Sequence, residues 1–143
     1  MTKKKVTDDL LGELKEKNTD IGEYISDNSG SFIEVNLSEF WGKMLRKSEM
    51  QKSDVVNKAD ISYIYFYEIL QGKKIPSKDK IVRIALALDM SLEECQQALT
   101  FCNQSRLYPR IKRDSCIIYA IEHKYNVLQL QDLLIKTGEP ELK

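Results

Sequence analysis

A single histidine, His123, and three cysteines with no Cys-x-x-Cys pair leave the chain without the donors of a histidine cage or a zinc ribbon. A Ser/His/Asp triad has only His123 to use. That residue stands between Glu122 and Lys124 at the end of a helical stretch, where contact with the C-terminal dipole is its ordinary role. The sequence contains no GxGxxG, no GxxxxGK[ST] and no HExxH. The carboxylate pairs Asp8-Asp9 and Glu93-Glu94 fall at helix starts, where they offset the dipole. No catalytic residue, metal or cofactor is therefore expected, and the chain reads as not an enzyme. The odd cysteine count argues against a disulfide framework. Cys95 and Cys102 lie seven apart on one helical face beside Leu92 and Leu99, as small buried hydrophobes of a reducing cytoplasm. No apolar run approaches the roughly 20 residues that cross a bilayer, and the basic start MTKKKVTDDLLGELKEK lacks the apolar core of a signal peptide. A cytoplasmic location with no membrane partner is the expectation.

Net charge is also absent: 22 Lys and Arg balance 22 Asp and Glu. A domain that grips phosphates is usually basic on one face, so the distribution matters more than the total. Residues 1–36 carry 5 basic and 8 acidic side chains, residues 37–104 carry 10 and 9, and residues 105–143 carry 7 and 5. At 143 residues and 42% hydrophobic content, one ordinary domain with an appended helical part is affordable.

What is present is helical periodicity. Leu10, Leu11 and Leu14 follow Thr7-Asp8-Asp9, and Ile21, Tyr24 and Ile25 mark a second short helix. Ser26–Ser31 reads as a loop and the best candidate boundary, with Phe32, Ile33 and Val35 as a brief extended segment. Asn36-Leu37-Ser38-Glu39 resembles a capping box, followed at i, i+3, i+4, i+7 and i+8 by Leu37, Phe40, Trp41, Met44 and Leu45. Further helices are expected over about 52–59, with Val55, Val56 and Ala59 inward, and over about 62–71. A helix after Ser77 carries Ile81, Ile84, Ala85 and Leu88, and one after the capping box Ser91-Leu92-Glu93-Glu94 carries Leu92, Cys95, Leu99 and Cys102. Beyond the basic run Arg106–Arg113, Ile117, Ile118 and Ile121 mark one more helix. Val127, Leu130, Leu133 and Leu134 mark the last, ending at Gly138. The expectation is an all-α protein divided as 1–36, 37–104 and 105–143.

Between Met50 and Ser77 the chain reads MQKSDVVNKADISYIYFYEILQGKKIPS. Gln51 opens one short helix, Asp60-Ile61-Ser62 forms a tight turn, and the next helix closes on Gly72 with Pro76 four residues on. This pattern resembles the helix-turn-helix of the phage repressor/Cro (Cro/C1-type, XRE) family, over about residues 37–103. Where the family usually opens its turn with Gly, this chain has Asp60, which tolerates the left-handed conformation better than most residues. The family also tends to carry an acidic residue where Leu70 stands.

The resemblance implies a five-helix domain whose second motif helix lies in the major groove of double-stranded DNA. It implies a transcription regulator, commonly a homodimer on two half-sites. By position, Tyr63, Ile64, Tyr67 and Glu68 would face the bases. Gln51, Lys52, Ser62, Lys73, Lys74, Lys78 and Lys80 would meet phosphates, helped by backbone N–H groups at helix starts. Arg106, Arg110, Lys112 and Arg113 offer a second basic arm around Tyr108. Direct readout favours Arg or Lys on guanine and Asn or Gln on adenine, and the reading helix has none of these before Gln71. A second reading follows: the scaffold is kept, and the Tyr/Ile-rich helix binds a protein partner, since Tyr is favoured in interface cores.

Overall fold

Nine α-helices and one 3-10 turn make up the regular structure of the described residues, 7–31 and 36–143 of a computed structural model, and no strand occurs among them. The extended reading of Phe32, Ile33 and Val35 lies outside the described residues. The protein is all-α, and no described helix is long and apolar enough to cross a membrane.

The chain divides into two units, residues 1–34 and 35–143. In the first, α1 (Thr7–Lys15) and α2 (Ile21–Asp27) pack together, and Ser29–Ser31 forms the 3-10 turn. The helix therefore takes up Ser26 and Asp27, which the sequence placed in a loop. Asp20 caps α2 by accepting from the Glu23 N–H at 2.9 Å. Buried Asn28 ties the unit together, donating to the Glu13 carboxylate at 3.2 Å and to the Tyr24 carbonyl at 3.0 Å.

The second unit holds α3 (Leu37–Ser48), α4 (Lys52–Ala59), α5 (Tyr63–Leu70), α6 (Lys78–Ala87), α7 (Leu92–Phe101), α8 (Lys112–Glu122) and α9 (Val127–Thr137). Starts are set by side-chain caps: Asn36, Ser62, Ser77, Ser91 and Asn126 each accept a backbone N–H from three residues on. Ser91 with Glu94 and Asn126 with Gln129 are reciprocal capping boxes. Gly138, left-handed at φ 78°, stops α9.

The core centres on α6, which touches α4, α7, α8 and α9. Its period predicted one apolar face of Ile81, Ile84, Ala85 and Leu88. The structure also buries Val82, Ala87 and the charged Arg83, because neighbours close on every side. Fully burying each of Ile81, Ile84 and Leu99 stabilises the fold by about 2 kcal/mol. Residues 105–143 belong to the same unit as 37–104, so no unit boundary falls at 104. The reason is physical: Leu107 is buried, and Gln96 grips its backbone in both directions, at 2.9 Å through Nε2 and 2.8 Å through Oε1.

Candidate nucleic-acid interface

Helices α4 and α5 are joined by three residues. Asp60 takes the left-handed conformation at φ 55° and ends α4, while the Ile61 N–H reaches back to the Val56 carbonyl at 3.3 Å. Ser62 then starts α5, its Oγ accepting the Tyr65 N–H at 3.1 Å. Val55, Ala59, Phe66 and Ile69 are all buried, with Ile61 packed against them, so the pair is fixed to the core through small and apolar groups. Ser38 of α3 donates to the Leu70 carbonyl at 2.7 Å and holds the end of α5. Gly72, at φ 76°, turns the chain so that the Lys73 N–H returns to the Glu68 carbonyl at 2.9 Å. Tyr65 is partly buried beside the Ser77 backbone, and burial pushes its phenol above the usual range.

One side of α5 thus faces the core and the other stands free. Tyr63, Ile64 and Tyr67 are exposed, Ile64 most of all at 71%. The Tyr63 and Tyr67 rings stack with centroids 6.4 Å apart, and the Lys52 ammonium sits 5.5 Å over the Tyr67 ring. Tyr63, Ile64, Tyr67, Glu68, Gln71 and Lys73 line a shallow groove of about 320 Å³. The four residues expected to face bases are therefore brought together, with Glu68 half-buried at the rim. Gln51 opens α4, its own N–H accepted by Asp54 at 3.3 Å, and Ser62 opens α5. Lys52, Lys73 and Lys74 are exposed, and Lys80 is half-buried on α6.

Three expected cations are placed otherwise. The Lys78 ammonium lies 3.2 Å from the Asp114 carboxylate and 3.1 Å from Ser105 Oγ, which neutralises it inside the fold. Arg113 stands on the first turn of α8 and forms a two-pronged pair with Asp79, each N–O distance 3.0 Å. Lys112 turns to the Thr137 carbonyl at 2.9 Å. Arg106 and Arg110 stay exposed, while α8 begins within the run and ties its last two cations to the fold, Arg113 partly buried against Asp79 and Lys112 exposed beside Thr137 and Glu139. Sequence spacing carries no sign of these pairs, whose partners lie 34 and 36 residues away.

A cleft of about 700 Å³ shares no residue with the α5 groove. Acids and bases alternate along its wall, Lys58 and Lys124 against Asp60 and Asp89, with Lys124 and Asp89 paired at 3.0 Å. His123 caps the end of α8 and stacks on Tyr119 with centroids 4.0 Å apart. Comparison with known proteins returned no match to a family model, a curated protein or a solved structure.

Proposed function

We propose that this chain is a DNA-binding transcription regulator of the repressor/Cro type, with α5 entering the major groove and α4 lying across the backbone. The observation that carries this reading is the charge around the α4–turn–α5 pair. The neutral total divides unevenly, since residues 37–143 hold 17 basic and 14 acidic side chains. Within that part, Lys47, Lys78, Arg83, Lys112, Arg113 and Lys124 are each within 4.0 Å of a carboxylate. Lys52, Lys73 and Lys74, which border the exposed side of α5, have no ion-pair partner among the described residues. Unpaired cations beside the exposed side of α5 suit a polyanionic groove.

Base contact falls to Tyr63, Ile64 and Tyr67. A phenol donates one hydrogen bond, and Ile64 packs on a thymine methyl. Phosphate contact falls to Lys52, Lys73 and Lys74, giving a log-log salt slope of about −2.7 at about −0.9 per contact. The test is fluorescence anisotropy of labelled duplex, random and genomic, titrated with protein at low and moderate salt. Micromolar binding with that slope supports the reading; no binding at low salt removes it.

A second reading rests on one specific observation. The exposed side of α5 is Tyr, Ile and Tyr, chemistry that is favoured in the centre of protein interfaces. Under it the same groove takes a protein partner, and binding depends weakly on salt.

A further inference from the structure

Residues 140–143 leave α9 after Gly138 and lie in a groove made by α6, α8 and α9, held mainly by their backbone. Gln131 of α9 reads Leu142 from both sides: its Nε2 donates to the Leu142 carbonyl at 3.0 Å, and its Oε1 accepts the Leu142 N–H at 2.7 Å. This is the pairing a neighbouring strand would supply. Arg83 of α6, 8% exposed, donates through Nη2 to the Leu142 carbonyl at 3.0 Å and through Nε to the Lys143 carbonyl at 2.9 Å. Asp79 accepts the Lys143 N–H at 3.0 Å. Arg113 of α8 donates to the carbonyls of Pro140 and Glu141 at 3.0 and 3.1 Å. One side chain, Leu142, is buried at 4% exposure.

Four side chains that converge on main-chain groups, with one apolar pocket, are what recognition of an extended peptide requires. The buried Arg83 guanidinium has one carboxylate near it, Asp60 at 3.8 Å, and its hydrogen bonds all go to carbonyls, two of them in residues 142–143, because a buried cation must be satisfied. Its third bond goes to the Ala59 carbonyl at 3.2 Å, the last residue of α4. Occupancy of the groove is thus joined by a single side chain to the turn between α4 and α5.

We propose that this groove is a peptide-binding site for an extended segment bearing one leucine, and that residues 140–143 are its occupant in cis. The site reads backbone plus Leu, so a peptide of the same sequence supplied in trans takes it once the resident segment is weakened. In the unaltered chain the resident acts at an effective concentration of about 1 mM or more and excludes the competitor. This holds whatever α5 binds.

The experiment uses the full chain and a fluorescein-labelled peptide Gly-Glu-Pro-Glu-Leu-Lys, titrated by anisotropy. The unaltered chain is expected to show no binding at 100-fold lower peptide concentration than about 1 mM. A Leu142→Asp chain should bind it, and a Leu142→Asp, Gln131→Ala chain should bind at least tenfold more weakly. A peptide with Asp in place of Leu should bind none of them. Equal binding by the unaltered and Leu142→Asp chains, or none by a Leu142→Asp chain whose circular dichroism is native, overturns the proposal. If that variant unfolds, hydrogen exchange decides: the Leu142 amide should exchange at least tenfold faster in Gln131→Ala than in the unaltered chain. Exchange at the rate of an unstructured peptide in the unaltered chain would overturn it.

Discussion

Arg113 and Asp79 meet fork to fork, Nη1 on Oδ1 and Nη2 on Oδ2, both at 3.0 Å, with each side chain less than one-fifth exposed. A two-pronged pair of this kind fixes orientation as well as charge. It locks the start of α8 to the start of α6 and makes one residue of the apparent basic arm an internal brace. Arg113→Met should therefore lower stability by about 2 kcal/mol, read as the urea midpoint, because Asp79 keeps its burial and loses its partner. Affinity for duplex DNA should not change. A loss of DNA affinity without loss of stability would return Arg113 to the binding surface.

The lysines and tyrosines around α5 should separate by phenotype. Charge reversal at Lys73 and Lys74 should weaken binding on every duplex alike and reduce the salt slope by about 2, at about 0.9 per contact. Tyr67→Ala should change which sequences are preferred and leave the slope nearly intact. Lys78→Gln should leave the slope untouched and cost stability instead, since its partner is Asp114. Competition titrations at three salt concentrations distinguish the three, and identical behaviour of the Lys73/Lys74 and Tyr67 variants would refute the assigned roles.

Acid should loosen the brace. Burial alone raises the Asp79 carboxyl, but hydrogen bonds from Arg113 and the Lys143 N–H, with the charges of both residues, bring it net below its ordinary value of 3.8. A depressed carboxyl contributes stability that is present above the unfolded value and is lost as pH falls through the folded one. Glu94 behaves likewise: burial raises it, and the Lys47 and Ser91 contacts bring it below 4.5. Stability should thus be level near neutrality and fall below about pH 4. Asp79→Asn should flatten part of that fall; an unchanged acid limb would remove Asp79 from the account.

The thiols should react unequally. Burial pushes Cys95 up to about 12 and Cys102 to about 11, so neither forms thiolate near neutrality. Cys116 is partly exposed, 3.6 Å from Thr137 Oγ1. An aromatic disulfide reagent at pH 8 should label one thiol promptly and the other two only on unfolding. The same raised values mean that stability from Cys95 and Cys102 is complete below the unfolded value near 9 and declines above it. Prompt labelling of Cys95 would show that α7 opens locally.

What was legible in the sequence was local. Asn36, Ser62, Ser77, Ser91 and Asn126 announced helix starts, because a cap and its N–H lie three residues apart. The left-handed Asp60 and Gly72 were equally visible, and so was the exposed grouping of Tyr63, Ile64 and Tyr67. What was hidden joins distant positions. Nothing local in the sequence marks Arg83, which lies buried among the carbonyls of Ala59, Leu142 and Lys143. Lys78 and Arg113 looked like free cations, and their partners are 36 and 34 residues away. Charge in a sequence says what a side chain carries; only the fold says what it meets.

Trp41, the one tryptophan, lies 1% exposed on α3 against Phe40, with rings edge to face at 5.1 Å. Its indole N–H has no acceptor among the described residues. The molecule therefore carries a single tryptophan fluorophore in a buried, apolar setting, remote in kind from the exposed, cationic rim of α5. Its emission should be blue-shifted and poorly quenched by iodide in the native protein. Occupation of the α5 groove should leave it unmoved, so a red shift on titration would signal loosening of the core rather than arrival of a ligand.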